Sequence, residues 1–352
     1  MPYTVVDKGS KYFNTVLYTG DGTTSRSITG VGFKPDFTWI KSRSNAYYHE
    51  LYDAVRGFSS TTNGRVLYSN TTSAEGTPNT FNSFNTDGFT VSNQSGEVGT
   101  NGSGATFVSW NWLGSNTTVS NTSGSITSTV SANTTSGFSV VRWSGSGANA
   151  TVGHGIGTAP KMIIIKNYDA NLNDWVVYHS SIGNGAFLRL NTTNASQSAT
   201  NIWNSTSPTS SVFSLGTAGG SNGSGTNNLI AYCFAEVKGY SKFGSYTGNG
   251  SADGTFIYTG FKPAFIITKC SSASGEWEIY DNKRTTYNVA TSTLEAQSNS
   301  AELNYYSIDM LSNGFKQRQS YNTQNQSGAT YIYMAFSENP FCSSKGIPTT
   351  AR

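Results

Sequence analysis

The sequence predicts an all-β protein made of three tandem homologous β-sandwich domains of a jelly-roll-like kind. Three observations support this prediction. The composition disfavours helices, short runs of β-branched and aromatic residues alternate with turn residues, and one sequence block occurs three times. At 352 residues, the chain is also too long for one small domain.

The composition explains why long helices are not expected. Charged residues make up only 12% of the chain and glycine accounts for 38 residues, while serine, threonine and asparagine are abundant. These small polar residues hydrate the surface, favour turns and resist helix interiors. Aromatic residues make up 13% of the chain, which is enough large apolar surface to build cores.

The repeated block begins at a proline, continues as an apolar run and ends at a lysine six residues later. Its copies lie at 35–41, 160–166 and 263–269. A glycine turn precedes each copy, and an apolar run closes each unit. Pro263 follows Pro35 by 228 positions and Phe336 follows Trp112 by 224, a drift that small loop insertions explain. We therefore predict domains at 1–115, 116–237 and 238–352.

The connections between the predicted domains differ in composition. The segment between Leu113 and Phe138 is almost entirely serine, threonine, asparagine and glycine, which is typical of a linker or of an extended surface strand. Only a few residues before Phe243 join the second and third units. We therefore expect those two units to be rigidly joined and the first to be hinged.

Within each unit, glycine pairs indicate where strands reverse. Asp-Gly or Asn-Gly pairs predict hairpin turns because both central positions of such turns need positive φ. The pairs lie at 21–22, 87–88, 249–250 and 313–314. A proline at the start of each repeated run costs little, since the first position of a strand can lack a donor.

Charge and cysteine content exclude several classes of partner. The net charge is +3 with scattered basic residues, which argues against nucleic-acid binding. No long apolar window or basic-apolar leader is present, so neither membrane insertion nor classical secretion is expected. Cys233, Cys270 and Cys342 are too few and too widely spaced for a disulfide framework and are predicted to be buried free thiols. No cofactor or metal site is predicted.

The residues that usually carry catalysis are sparse. His49, His154 and His179 do not recur at one repeat position and form no metal-binding motif, so we expect them at the surface or at strand edges. Residues 219–223 match a Gly-x-Ser-x-Gly pattern but lack the strand before and the helix after that a hydrolase needs. This segment is predicted to be a loop.

Paired carboxylates are the more serious catalytic candidates, since glycoside hydrolysis needs two of them. One cluster contains Glu50 and Asp53, and a second contains Glu276, Glu278 and Asp281. Residues 50 and 53 are an odd number of positions apart, so a regular strand would point them to opposite faces. A glycan hydrolase is therefore the third-ranked hypothesis.

Aromatic residues flanked by amides and hydroxyls are typical of carbohydrate sites. The candidate glycan contacts are Tyr47, Tyr48, Trp175 and Trp277. Trp175 and Trp277 occupy the same repeat position, which favours the alternative that they are core residues. The lysines that end the repeated runs are predicted to protect sheet edges or to extend along the surface; they are Lys41, Lys166 and Lys269.

Several strings resemble a repeat family of virion structural proteins of cyanophages and other marine tailed phages. They are Phe13-Asn14-Thr15 and the segments 32–43, 153–164 and 231–250. The resemblance covers nearly the whole chain. It implies a capsid decoration, tail fibre or other appendage and supplies no catalytic residues.

We therefore expect a non-enzymatic protein on the exterior of a phage particle, assembled in the host cytoplasm. Its expected partners are other capsid or tail proteins, with a homotrimer considered by analogy with other phage appendages. A host-surface glycan is a further candidate partner, because the second-ranked hypothesis is a lectin-like adhesin.

Overall fold

The chain was studied as a computed structural model that describes residues 4–61, 63–93, 99–169, 171–223, 227–337 and 339–340. Within these residues almost all regular structure is β, so the predicted all-β class is confirmed. Unit 1 contains a short 3-10 helix at Gly9–Lys11 and then β1 (Phe13–Thr19), β2 (Arg26–Ile28), β3 (Phe37–Ser42), β4 (Glu50–Asp53), β5 (Leu67–Tyr68), β6 (Phe81–Asn85), β7 (Gly88–Val91) and β8 (Thr106–Trp112).

The other two units repeat this pattern. Unit 2 contains β9 (Val119–Asn121), β10 (Ser128–Asn133), β11 (Phe138–Ser144), β12 (Ala150–Gly153), β13 (Met162–Asn167), β14 (Val176–His179), β15 (Ala186–Arg189), β16 (Gln197–Ser198), β17 (Val212–Leu215), helix α1 (Gly219–Asn222) and β18 (Asn228–Phe234). Unit 3 contains β19 (Ser241–Thr247), β20 (Phe256–Tyr258), β21 (Pro263–Cys270), β22 (Trp277–Asp281), β23 (Leu294–Glu295), β24 (Ile308–Leu311), β25 (Gly314–Gln317) and β26 (Thr330–Ser337).

Each unit has a large antiparallel sheet of the same strand order. The orders are β1-β8-β3-β4-β5, β11-β18-β13-β14-β15 and β19-β26-β21-β22-β23. In unit 2 the sheet is extended by β16 at one edge and by β10 and β9 at the other. A small sheet covers one face of each large sheet; the small sheets are β2-β7-β6, β12-β17 and β20-β25-β24. This pairing of sheets is a β-sandwich in each unit.

The central strands are buried on both faces, which explains why their sequences are continuous apolar runs. In β21, Phe265 and Ile267 belong to a core that all three units share. Ile266 and Cys270 point the other way, into a core between the two sheets of unit 3. Equivalent private cores lie in units 1 and 2. The three large sheets therefore surround one central core, and the small sheets lie outside.

This arrangement corrects the expected hinge of unit 1. The shared core contains residues of all three units, including Phe13, Tyr232 and Phe336. Phe13 stacks on Phe336 with ring centroids 5.3 Å apart, although one lies in the first unit and the other in the third. A hinged unit would expose this apolar surface to water, at a large free-energy cost.

The serine- and threonine-rich segment after unit 1 contains strands rather than a free linker. β10 pairs with both β9 and β11 and so extends the large sheet of unit 2. The predicted domain boundaries at 115/116 and 237/238 fall between β8 and β9 and between β18 and β19.

Two of the four pairs lie at hairpins, but one residue later than predicted, because Gly88 and Gly314 already begin β7 and β25. Asp87 and Asn313 occupy the tight turns between β6 and β7 and between β24 and β25. The other two pairs, at 21–22 and 249–250, instead follow β1 and β19, where the chain crosses from the large sheet to the small one. There Gly20, Gly145 and Gly248 occupy equivalent positions, and a Cβ at each would lie within 2.2 Å of a backbone carbonyl oxygen. Only glycine permits this approach.

Candidate functional site

The three units contact one another around a central junction, formed by the inner faces of the large sheets and the loops that cross between units. One backbone hydrogen bond of the same kind closes each contact. The bonds are Glu75 N to Tyr168 O (2.8 Å), Ser196 N to Ser271 O (2.9 Å) and Glu302 N to Arg43 O (2.8 Å). They join unit 1 to unit 2, unit 2 to unit 3 and unit 3 to unit 1, so the ring is closed with pseudo-threefold symmetry.

A second ring of hydrogen bonds uses side chains at one repeat position. The donors and acceptors are Trp175 Nε1 to Tyr68 O (2.9 Å), Trp277 Nε1 to Arg189 O (2.8 Å) and His49 Nε2 to Glu295 O (3.0 Å). Trp39 Nε1 donates to His49 Nδ1, which leaves the His49 proton on Nε2. Each bond again crosses from one unit to its neighbour.

These contacts show that the predicted glycan platforms at Trp175 and Trp277 are wrong. The two residues are 0% and 1% exposed, and their indole N–H groups already have partners. Both are core residues that hold units together, which was the alternative interpretation of their shared repeat position. A ring buried at this depth has no face on which a sugar could stack.

Tyr47 and Tyr48 are half-buried, and their predicted glycan contact stays a prediction. The Tyr48 ring packs on Tyr68 with centroids 5.3 Å apart. Tyr48 also lines a polar cavity of about 530 Å³ at the junction, together with Thr193 of unit 2 and Glu276 and Glu295 of unit 3. Burial, helped by the negative charge of Glu276, raises the pKa of Glu295 to about 7.

The other carboxylates of the two predicted clusters form buried ion pairs or hydrogen bonds. Arg56 lies 2.5 Å from Asp53 and 3.1 Å from Glu75, while Tyr232 of unit 2 donates to Asp53 at 2.9 Å. This cluster is closed to solvent, since the Arg56 and Asp53 side chains are fully buried.

Unit 3 repeats that cluster with its neighbour in the ring. Arg284 lies 2.6 Å from Asp281 and 3.2 Å from Glu302, and Trp110 of unit 1 donates to Asp281 at 3.0 Å. Arg43 of unit 1 completes the cluster at 2.8 Å from Glu302. The two arginines were not predicted as site residues, although Arg284 follows Arg56 by 228 positions, the spacing of the repeat.

Glu50 and Glu278 face the private cores of their own units. Glu278 accepts a hydrogen bond of 2.8 Å from Tyr280, and Tyr52 donates to Glu50 in the same way. Burial raises the pKa of Glu50 to about 7 and that of Glu278 to about 8. The prediction that residues 50 and 53 point to opposite faces is confirmed, because Asp53 faces the junction instead.

The burial of these carboxylates argues against the predicted hydrolytic pairs. Glu50, Asp53, Glu278 and Asp281 are at most 2% exposed, so no substrate reaches them in this structure. A glycosidase needs both carboxyl groups on either side of a sugar.

The expectation of surface histidines and lysines is wrong. All three histidines are buried, and the Nε2 of each bonds to a backbone carbonyl; His179 Nε2, for example, donates to Tyr333 O of unit 3 at 3.1 Å. Burial lowers the pKa of His179 to about 4. Lys41, Lys166 and Lys269 are buried as well, since β3, β13 and β21 are central rather than edge strands.

The buried lysines bond to carbonyl oxygens, and two of them cross the junction. Lys269 Nζ donates to Thr193 O of unit 2 at 3.1 Å, and Lys41 Nζ donates to Asn299 O of unit 3 at 3.2 Å. Burial lowers the pKa of Lys41 to about 7 and that of Lys269 to about 8. These acceptors offset only part of the cost of burying each ammonium, which is why both pKa values are lowered.

The Gly-x-Ser-x-Gly segment forms the short helix α1 rather than the predicted loop. Ser221 is buried, and its hydroxyl donates to Ile202 O at 3.3 Å. A strand, β18, follows it instead of the long helix of a hydrolase. Cys233 and Cys270 are buried free thiols as predicted, and Cys342 lies outside the described residues.

Two absences hold for the described part of the chain. No group of three or more His, Cys, Asp or Glu side chains there is placed to hold a metal ion. Among the same residues, no helix is both long enough and apolar enough to cross a membrane.

The fold and the junction define an all-β protein in which three sandwich units close around one shared core. The chain belongs to the family described as Domain of unknown function (DUF7483), whose model matches residues 8–340. No curated protein is significantly similar to this chain.

Proposed function

We propose that this protein is a non-enzymatic structural component displayed on the exterior of a phage particle, as a capsid decoration or a tail appendage that aids attachment to the host. The resemblance of its repeated strings to virion proteins of tailed phages supports this proposal. The family match assigns no activity to the chain.

One observation supports an architectural role above the others. The polar groups that most resemble catalytic residues hold units together: Asp281 with Trp110, Asp53 with Tyr232 and His179 with Tyr333. Buried, paired groups of this kind make a body rigid and its unit arrangement specific. A rigid body with an amide- and hydroxyl-rich surface suits the outside of a particle.

The closed ring also bears on assembly. One chain already arranges three equivalent units around an axis, so a threefold body does not require three chains. We propose that the ring docks on the particle through this pseudo-threefold symmetry, since a symmetric surface is matched best by a partner of the same symmetry. A homotrimer stays a prediction.

A second candidate function, a glycan-binding adhesin, is favoured by the distribution of exposed rings. Among the described residues, every strongly exposed aromatic side chain belongs to unit 3; these are Phe256, Tyr258, Tyr287, Tyr305 and Tyr321. Exposed tyrosines with one apolar face and one polar tip are common in recognition surfaces. Unit 3 would therefore be the host-facing unit of the ring.

Labelling intact particles tests the proposed function. Purified phage particles are incubated with a gold-labelled antibody against the full chain and imaged, with a phage lacking the gene as control. Gold at one defined position on the wild-type particle is expected. Particles that carry no label, while the chain is abundant in the infected cells, would overturn the proposal.

Adsorption assays test the second candidate. A phage carrying Tyr258→Ala and Tyr305→Ala is expected to adsorb more slowly to host cells than the wild type. The matched control is Leu17→Ala in unit 1, which removes an exposed apolar side chain elsewhere. Equal adsorption by all three phages would count against an adhesin role for unit 3.

A further inference from the structure

Unit 1 contains a groove of about 630 Å³ that the junction does not use. Its walls come from the segment before β3, the loop after β4 and the edge strand β6. Residues 116–118, at the start of unit 2, close one side. The volume lies within the range of about 300–1,000 Å³ that is usual for small-molecule sites.

A smaller cavity of about 180 Å³ lies at the matching place in unit 3. Lys262 lines it where Lys34 lines the groove, and Met310 lines it where Phe84 does. These pairs are 228 and 226 positions apart, as the repeat requires. The cavity is therefore a property of the repeated unit, and it is enlarged in unit 1.

One wall of the groove is aromatic. Phe58 and Phe84 are half-buried, and their rings meet edge to face with centroids 5.9 Å apart. Phe84 is supported from behind by Phe81 at 4.8 Å, so its position is set by the private core of unit 1. A fixed, partly exposed ring is what the apolar face of a sugar packs against.

The other walls are polar and bear unused hydrogen-bonding capacity. The Asn82 side-chain oxygen is screened from solvent and has no hydrogen-bond partner among the described residues, which is unfavourable. The hydroxyls of Thr117 and Thr118 are exposed beside it. A ligand in the groove can bond to the exposed Thr117 and Thr118, whereas the Asn82 oxygen becomes reachable only if its side chain turns.

The charge of the groove comes mainly from Lys34. Lys34 is exposed, whereas the Asp36 carboxylate beside it is buried and accepts hydrogen bonds from Ser131, Gly114 N and Asn116 N. The carboxylate is therefore occupied, and the lysine ammonium is available to a ligand. An anionic group on the ligand would be favoured there.

We infer that this groove is a saccharide-binding site, with the sugar face on Phe84, sugar hydroxyls at Thr117 and Thr118 and a carboxylate of an acidic sugar at Lys34. The proposal goes beyond the architectural function and does not depend on it. The cavity of unit 3 is too small to hold the same ligand in this structure.

Saturation-transfer NMR on the full chain tests the site, with glucuronate, glucose and N-acetylglucosamine as the probes. Transfer to glucuronate is expected to exceed transfer to glucose at least about threefold. Lys34→Ala should remove this preference, whereas Lys262→Ala, the matched change in unit 3, should leave it unchanged.

Two variants of different kinds separate binding from folding. Phe84→Ala removes the aromatic wall, and Ser83→Trp fills the groove from a partly exposed position without deleting core atoms. Both are expected to abolish transfer while the circular dichroism spectrum is retained. No transfer from the wild-type protein to any of the three probes, or unchanged transfer with Ser83→Trp, would overturn the inference. Neither result would affect the particle-labelling experiment.

Discussion

The indole Nε1 of Trp277 donates a hydrogen bond of 2.8 Å to the backbone carbonyl of Arg189, 88 positions earlier in the chain and in the neighbouring unit. Trp175 makes the equivalent bond to Tyr68. The repeat position of these two tryptophans, a candidate glycan platform, is thus a buried hydrogen-bonded contact between units. The stability of the ring should therefore depend on residues that a surface-based interpretation would treat as dispensable.

Trp277→Phe is expected to destabilise the protein more than Trp143→Phe. Both changes shrink a buried ring, but the Trp143 indole N–H has no hydrogen-bond partner among the described residues. Only Trp277→Phe therefore leaves a carbonyl, that of Arg189, without its donor. The extra loss should be about 1–3 kcal/mol in the free energy of unfolding. Urea titrations of both variants measure this difference. Equal losses would show that the hydrogen bond of Trp277 to the neighbouring unit does not stabilise the protein.

Arg284→Ala is expected to cost about 3–5 kcal/mol, because it leaves Asp281 charged and buried without its cation, whereas Glu302 keeps Arg43. The matched control is Lys11→Ala, which removes an exposed ion pair with Asp7. That change should leave the free energy of unfolding nearly unchanged, because an exposed ion pair is screened by water and salt. Chemical denaturation of the two variants compares them, and similar losses would show that burial of the cluster is unimportant.

Gly145→Ala is expected to destabilise unit 2. Its Cβ would lie 1.8 Å from the carbonyl oxygen of Asn222, so the turn and the end of α1 must separate, at about 1–3 kcal/mol. Gly185→Ala is the control, since a Cβ there meets nothing within 4 Å. The control should be neutral or stabilising by up to about 1 kcal/mol. Thermal unfolding distinguishes them, and a neutral Gly145→Ala would refute the close approach.

Glu278→Gln should stabilise the protein at alkaline pH and leave it nearly unchanged at acidic pH. Burial raises the pKa of Glu278 from its ordinary value of 4.5 to about 8. The folded state therefore holds its proton where the unfolded state has lost it, so stability is present below about pH 4.5 and falls as the pH rises towards 8. A glutamine side chain does not ionise, so the variant lacks this loss of stability at high pH.

The stability difference between variant and wild type should grow by up to about 1.4 kcal/mol per pH unit across that window. Urea titrations at a series of pH values measure the slope. Glu302→Gln is the contrasting variant, because Glu302 pairs with Arg43 and Arg284 and should lose stability at neutral pH. A Glu278→Gln difference that does not change with pH would contradict the protonated state.

Much of the fold could be predicted from the sequence because it depends on local chemistry. The repeated proline-to-lysine run marks the central strand of each unit, and its continuous apolar character reflects burial on two faces. The hairpin turn at residues 86–87, which ends at Gly88, likewise reflects a local preference. The alternation of Glu50 and Asp53 between faces follows from strand geometry alone.

The candidate site could be predicted far less well. Whether Trp175 is an exposed glycan contact or a buried contact between units depends on Tyr68, more than a hundred positions away. Nothing near Trp175 in the sequence encodes that contact. The same holds for Lys269, which looks like an edge residue until its carbonyl partner Thr193 is placed. The arginines at 56 and 284 carried a detectable signal, the shared repeat spacing beside Asp53 and Asp281.

The sequence by itself determined that the chain is all-β, that it contains three related units and where each unit's central strand lies. These properties follow from side-chain periodicity and backbone preference, which act over a few residues. Only the tertiary structure decided that the units form a closed ring rather than a string. The reason is physical: the inner face of each large sheet is apolar, and three such faces lose contact with water only by packing on one another. That packing made His49, His179, Lys41 and Lys269, which were expected at the surface or at strand edges, buried contacts between units.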